Sequence, residues 1–238
     1  MLDKIKQDFY ETGFVLLPGF FDVDLMERVA TSCLGHFGSD PDWEHNEEFI
    51  GKSKAEIVPW FPQREGSPDQ AALFDEVDAY PSFAKITAAL IGDGWQNLYS
   101  MAMFSKQGTI GQAWHQDCPP ENPARHNLNR LIYPVAIQSE IGGEVVVMPG
   151  SHKLGELPVG EPNADMDGQV VLRPGIGDLL FLHGHCWHKV MPVHGGDRFS
   201  LNHRASPEGT PDDITDVCVY RNMRYRFSTS QLIEERAA

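Results

Sequence analysis

Two histidines, one aspartate and one arginine carry the chemistry most legible in this chain. His115 and Asp117 stand in Trp114-His-Gln-Asp-Cys118, His188 stands in Cys186-Trp-His-Lys-Val190, and Arg198 follows about ten residues later. On a β-strand successive side chains alternate faces, so His115 and Asp117 project the same way while Gln116 projects oppositely. One strand thus offers two metal ligands, and a third from a distant strand completes a two-histidine, one-carboxylate face. That donor set leaves about three of six octahedral positions open, as non-heme iron(II) oxygenases require. Arg198 adds a planar, permanently charged fork suited to a carboxylate of a dicarboxylate co-substrate. His183, His185 and His188 compete for the distal ligand position, because strand parity allows His183 and His185 to share a face.

Such a site needs a rigid β-scaffold. The apolar run Leu98–Phe104 precedes the His-x-Asp pair, and two further runs, Gly143–Lys153 and Pro174–His183, follow it. Their apolar stretches and Gly/Pro punctuation have the spacing of a β-sandwich or barrel, and strands are expected from about residue 95 onward. Gly142-Gly143 reads as a hairpin turn, and His152 as a turn residue at a strand end. Upstream, a short helix over Asp3–Tyr10 precedes a strand over Phe14–Leu17. A second helix, capped by Asp22 or Asp24, runs to about Leu34 with Gly35 as its stop, and a third spans Ser82–Ile91 before Gly92. Residues 38–69, punctuated by Trp43, Phe49, Trp60 and Phe61, read as a long irregular loop with the composition of a lid over the site. Trp114, Cys118, Trp187, Asn202 and Arg204 are candidates to face the cavity, and Gln116 to lie outside the barrel.

At 238 residues and 41% hydrophobic content the chain can bury a full core. One domain over 1–238 is expected, with helices and a lid-like loop in 1–94 and a β-barrel core in 95–238. No apolar stretch approaches a membrane span and no signal-peptide core is evident at the N-terminus, so a cytoplasmic location is expected. The four cysteines, Cys33, Cys118, Cys186 and Cys218, lack CxxC spacing and read as buried free thiols. The 34 acidic against 19 basic residues, a formal charge of −15, argue against nucleic acid and anionic membranes as partners.

These motifs in this order resemble the phytanoyl-CoA dioxygenase family of Fe(II)- and 2-oxoglutarate-dependent oxygenases. The resemblance is carried by Phe9-Tyr-Glu-Thr-Gly-Phe-Val-Leu-Leu-Pro-Gly-Phe-Phe21, His115-Gln-Asp117, Val146-Val-Met-Pro-Gly-Ser-His152, Gly177-Asp-Leu-Leu-Phe181, His188 and Arg198. It implies a mainly β fold, a double-stranded β-helix of jelly-roll or cupin-like form with N-terminal helices packed against it. It further implies Fe(2+) held by His115, Asp117 and His188, the far carboxylate of 2-oxoglutarate held by Arg198, and Tyr133 beside the co-substrate. The implied reaction uses O2 to oxidise a small-molecule substrate, with hydroxylation as the default and succinate and CO2 as co-products. Because Asp117 retains the carboxylate that related halogenases replace, halogenation is disfavoured. The acidic chain favours a free metabolite over an acyl-CoA, whose negative charges would prefer a basic rim. Two alternatives remain at this point: a cupin-like dioxygenase without 2-oxoglutarate, in which Arg198 would not serve the metal pocket, and a non-catalytic small-molecule-binding barrel.

Overall fold

A computed structural model describes residues 1–37, 58–60, 68–227 and 232–237. Helix α1 (Leu2–Thr12) leads into strand β1 (Phe14–Leu17), and α2 (Val23–Phe37) follows. Next come β2 (Val58–Trp60), α3 (Pro68–Asp78) and α4 (Phe83–Ile91). The strand-rich part comprises β3 (Gln96–Ser105), β4 (Gln112–Gln116), β5 (Leu128–Ile132), β6 (Val145–Val147), β7 (Val170–Leu172) and β8 (Leu179–His183). It continues through β9 (His188–Val190), β10 (Arg198–Ser206), β11 (Val217–Tyr220), β12 (Met223–Phe227) and β13 (Leu232–Ala237). The strands make two antiparallel sheets, ordered β1-β8-β5-β10-β3-β2 and β13-β12-β11-β4-β9-β6-β7. From β4 to β10 the chain winds repeatedly between the sheets, which is the double-stranded β-helix expected from the resemblance.

Side-chain alternation separates the layers. On the first sheet Leu128, Ile132, Leu179, Phe181, Phe199 and Leu201 face the helices and join Ile5, Phe9, Met26, Phe74 and Phe83 in one core. Their neighbours Leu131, Leu180 and Leu182 point the other way, into a second core between the sheets with Tyr133, Val145 and Val147. Trp114, Val146, Leu157 and Trp187 form a third cluster on the outer side of the second sheet. Burying each large apolar side chain contributes about 1.5–3 kcal/mol, whereas an exposed pair such as Lys4–Asp8 contributes at most about 1 kcal/mol. The apolar stripe therefore docks the helices. Arg130 reinforces that contact: fully buried, it lies over the Phe83 and Trp95 rings and donates to the His203 carbonyl. Among the described residues no helix is long and apolar enough to cross a membrane, and all four cysteines are buried and unpaired.

Three expectations need correction. Helix α2 runs through Gly35 to Phe37; glycine inside a helix costs about 1 kcal/mol against alanine, and tertiary packing of Leu25, Met26, Val29 and Cys33 outweighs it. Gly142-Gly143 makes a corner and not a hairpin, since β5 and β6 lie in different sheets. Within the stretch read as irregular, Val58–Trp60 pairs with β3 and α3 begins at Pro68; the remainder of the lid-like loop, with Trp43, Phe49 and Phe61, lies outside the described residues.

At the end of β8 four imidazoles crowd together. His183 has His126, His185 and His152 around it, with ring centroids 4.0, 5.1 and 5.2 Å away. Gly13 permits this approach: its φ is +85°, and a Cβ there would sit 2.5 Å from His152 Nδ1. Burial, then repulsion from neighbouring imidazoles, holds His126 down to about 4 and His183 well below the ordinary range. Burial lowers His152 and His185 as well.

Two outcomes are expected. Gly13→Ala should lose about 1–2 kcal/mol from the left-handed backbone alone, and more from the His152 contact; a urea midpoint equal to the wild type would contradict this. Because the folded-state imidazoles titrate below their unfolded value near 6.5, the unfolded chain takes up protons first. Stability should thus be complete above about pH 6.5 and decline as pH falls toward 4. Urea midpoints measured from pH 7.5 to 4.5 check this, and a flat profile down to pH 5 would refute it.

Candidate functional site

Strands β4 and β9 are neighbours in the second sheet, with His115 opposite His188. Directly opposed side chains on one face start only about 4.5–5.5 Å apart, so the register alone brings the two imidazoles together, with centroids 4.1 Å apart. Asp117 projects into the same interior space. Its Oδ1 lies 3.7 Å from His115 Nε2 and its Oδ2 3.4 Å from His188 Nε2. All three side chains are buried. Among the described residues they are the one group of three such donors whose ligating atoms lie within 4.8 Å of each other.

Each imidazole is oriented through its other nitrogen. His115 Nδ1 is 2.8 Å from the Ala113 carbonyl and His188 Nδ1 is 2.9 Å from the Cys186 carbonyl. A carbonyl only accepts, so both Nδ1 atoms carry a proton and donate, and the two Nε2 atoms are left to face Asp117. Burial, then repulsion from His188, pushes His115 down to about 3 and keeps it neutral. Burial opposes the charge on Asp117, but the Arg204 guanidinium beside it and a bond from Asn129 outweigh burial and hold the carboxylate below its usual range. Neutral imidazole beside an ionised carboxylate is the protonation state that metal ligation needs.

Asp117 is gripped from behind. Arg204 Nη2 lies 3.0 Å from Oδ1, and Asn129 Nδ2 donates to Oδ2 at 2.6 Å. Arg204 Nε and Asn202 Nδ2 both donate to Asn129 Oδ1 at 2.8 Å, and Arg204 Nη1 donates to Tyr99 Oη at 2.6 Å. No local pattern singles out Asn129 or Tyr99. For Arg204 a signal existed: Arg198, Ser200, Asn202 and Arg204 alternate along one strand and share the interior face.

Arg198 begins β10 and is only 4% exposed. Its Nε donates to the Gly143 carbonyl at 2.8 Å and its Nη1 to Ser200 Oγ at 3.1 Å. Gly143, with φ +76°, makes room for it, because a Cβ there would sit 2.4 Å from Arg198 Cδ. No carboxylate of the described residues pairs with this guanidinium, and besides burial the one ionisable group acting on it is Tyr133. Tyr133 is fully buried, and its hydroxyl has no hydrogen-bond partner among the described residues. Burial pushes that phenol up to about 12, so it stays protonated and able to donate. A buried charge without a counterion and a buried hydroxyl without a partner each cost stability. The far carboxylate of 2-oxoglutarate fits this donor set, since it would accept from both.

The rival ligands lie elsewhere. His183 stacks on His126 on the helix side, and His185 Nε2 donates to the Pro119 carbonyl at 3.1 Å. His152 sits in the short helical turn Ser151–Lys153. Trp114 and Trp187 pack on the outer face of the second sheet. Gln116 shares that side, bonded to the Gly155 and His185 carbonyls at 3.0 Å each. Of the cavity candidates, Asn202 and Arg204 face inward, and Cys118 is buried beside Gly184 and Asn127.

Solved structures share this architecture. HygX from Streptomyces hygroscopicus, with nickel and 2-oxoglutarate bound, superimposes with a TM-score of 0.67 at 16% identity, covering 87% of each chain. The epimerase SnoN, in complex with Fe3+, alpha ketoglutarate and nogalamycin RO, gives 0.61 at 18% identity over 99% of this chain and 94% of its own. HygX with nickel, 2-oxoglutarate and hygromycin B gives 0.61 at 15% identity, again over 87% of each. At these identities the likeness establishes the fold. No curated protein sequence matches. A family model described as phytanoyl-CoA dioxygenase (PhyH) matches residues 9–199, a span that includes the donor triad, Tyr133 and Arg198, and the chain therefore belongs to that family.

Proposed function

We propose that this protein is an Fe(II)- and 2-oxoglutarate-dependent oxygenase that hydroxylates a small metabolite. The observation that carries this reading is the pairing of two features in one barrel. A buried His115–Asp117–His188 donor triad lies on one sheet, and the buried guanidinium of Arg198, with no carboxylate partner among the described residues, lies with the Tyr133 hydroxyl on the other. The triad alone is equally compatible with a metal dioxygenase that binds its substrate directly; the carboxylate-ready pair favours a dicarboxylate co-substrate.

In this reading His115 and His188 present their Nε2 lone pairs to the metal, fixed by their Nδ1–H bonds to backbone carbonyls. Asp117 supplies the anionic ligand. Arg198 keeps the N–H groups it does not spend on Gly143 and Ser200 for the far carboxylate, and Tyr133 donates a further hydrogen bond. Such pairing fixes the co-substrate's position as well as its charge. The bound iron and 2-oxoglutarate supply the oxidising chemistry: with O2, a C–H bond is oxidised while the oxo acid is converted to succinate and CO2. The protein's own contribution is orientation and exclusion of water.

Inversion at a carbon centre, the activity carried in the name of the epimerase SnoN, also begins at a C–H bond, but hydroxylation remains the default outcome. For substrate class, the formal charge of −15 favours an uncharged or cationic metabolite over an acyl-CoA, whose phosphates would be repelled.

The reading is tested by succinate formation from 2-oxoglutarate with Fe(II) and O2, measured first without added metabolite. His115→Ala and Asp117→Ala should lose more than about 100-fold of the wild-type rate, beyond the 10–100-fold typical of residues that only support a ligand. Arg198→Ala should raise the 2-oxoglutarate concentration for half-maximal rate by about 10–100-fold, the equivalent of one or two charged hydrogen bonds. Wild-type succinate yield in the His115 variant would sink the assignment.

A further inference from the structure

We infer that Arg204 is a positioning residue for the metal, holding Asp117 in the orientation that a bound ion requires. The inference rests on the metal-site reading above and extends it to a residue that touches neither metal nor co-substrate in that reading.

Three side chains close a ring made of one ion pair and two hydrogen bonds. Arg204 Nη2 contacts Asp117 Oδ1 at 3.0 Å, Arg204 Nε donates to Asn129 Oδ1 at 2.8 Å, and Asn129 Nδ2 donates to Asp117 Oδ2 at 2.6 Å. Every member is buried. The ring fixes its own atom assignments: Asn129 Oδ1 receives two donors, from Arg204 and Asn202, so its amide nitrogen must be the atom that faces Asp117. The guanidinium is in turn pinned by Tyr99 Oη, 2.6 Å from Nη1. With both carboxylate oxygens tied from behind, the plane of the carboxylate cannot turn, and the sides facing His115 and His188 stay open.

Two effects of Arg204 oppose each other. Its positive charge draws electron density from Asp117 and weakens it as a ligand. Its planar fork removes the carboxylate's rotational freedom before a metal arrives, so binding costs less ordering. The second effect should prevail. Arg204 is already matched by Asp117 in the ring, Asn129 shares the load on the other oxygen, and partners that orient a metal ligand typically raise metal affinity by about 10–100-fold. The position also argues for function over packing. The guanidinium reaches inward from the same strand face as Arg198 and ends on a ligand, whereas Arg130, the arginine that holds the helices, points outward to Phe83 and Trp95.

The test is anaerobic titration of the full chain with Co(II), following both affinity and the visible ligand-field spectrum. Wild type should bind one ion, and His115→Ala should bind none; failure of either result defeats the underlying metal-site reading. Arg204→Met should bind Co(II) about 10–100-fold more weakly with an altered spectrum, because the carboxylate then turns. Arg204→Lys, which keeps the charge and loses the fork, should fall between. If Arg204→Met binds with wild-type affinity and spectrum, or more tightly, while His115→Ala binds nothing, the positioning role is overturned and the metal site stands. Should Arg204→Met fail to fold by circular dichroism, Asn129→Leu interrupts the same ring from its other side. Weaker binding with a shifted spectrum then supports the inference, and unchanged binding overturns it.

Discussion

The interior of this barrel depends on compensating charge in a space that excludes water. Among the described residues Asp117, Arg198 and Arg204 bring buried charges to the space between the sheets. Asp117 and Arg204 satisfy each other, which leaves the guanidinium of Arg198 without a carboxylate among the described residues. Burying an unpaired charge costs several kcal/mol, a large share of the stability of an ordinary domain. The expense is intelligible when the missing partner is a ligand. The same logic covers the unpartnered Tyr133 hydroxyl and the glycine at 143 that clears space for the arginine. In the proposed reading an anion completes this site, which would select a co-substrate by charge as well as by shape.

Strand parity made much of the site readable in advance. The period of two placed His115 and Asp117 on one face and sent Gln116 to the other, and the structure agrees. The same period, applied to β10, would have placed Arg204 beside Arg198 on the inner face, though it could not have said what Arg204 touches. Partners such as Asn129 depend on which strands become neighbours, and pairing between segments distant in sequence leaves no local signal. Parity also failed to choose among His183, His185 and His188, because the run from Leu179 does not continue unbroken: β8 ends at His183 and β9 begins at His188. The family register favoured His188, the residue that the geometry brings to Asp117.

Elsewhere the misreadings share a cause. Local pattern alone marks Gly35 as a helix stop and Gly142-Gly143 as a hairpin. In both places tertiary packing decides: the buried face of α2 carries it past Gly35, and the two-sheet winding turns Gly142-Gly143 into a corner where the main chain meets Arg198. At Gly13 and Gly143 a positive φ coincides with a neighbouring side chain that needs the room a Cβ would take.

Membership of the phytanoyl-CoA dioxygenase family fixes the frame, and the identity of the co-substrate is the claim on which the functional reading turns. It is tested most directly by titrating Fe(II) and 2-oxoglutarate into apoprotein without oxygen and recording the visible spectrum. A weak charge-transfer band that needs both components, and that fades in Arg198→Ala at the same 2-oxoglutarate concentration, is the expected result. Iron binding with no such band at saturating 2-oxoglutarate would contradict the account and favour a metal dioxygenase that engages its substrate directly.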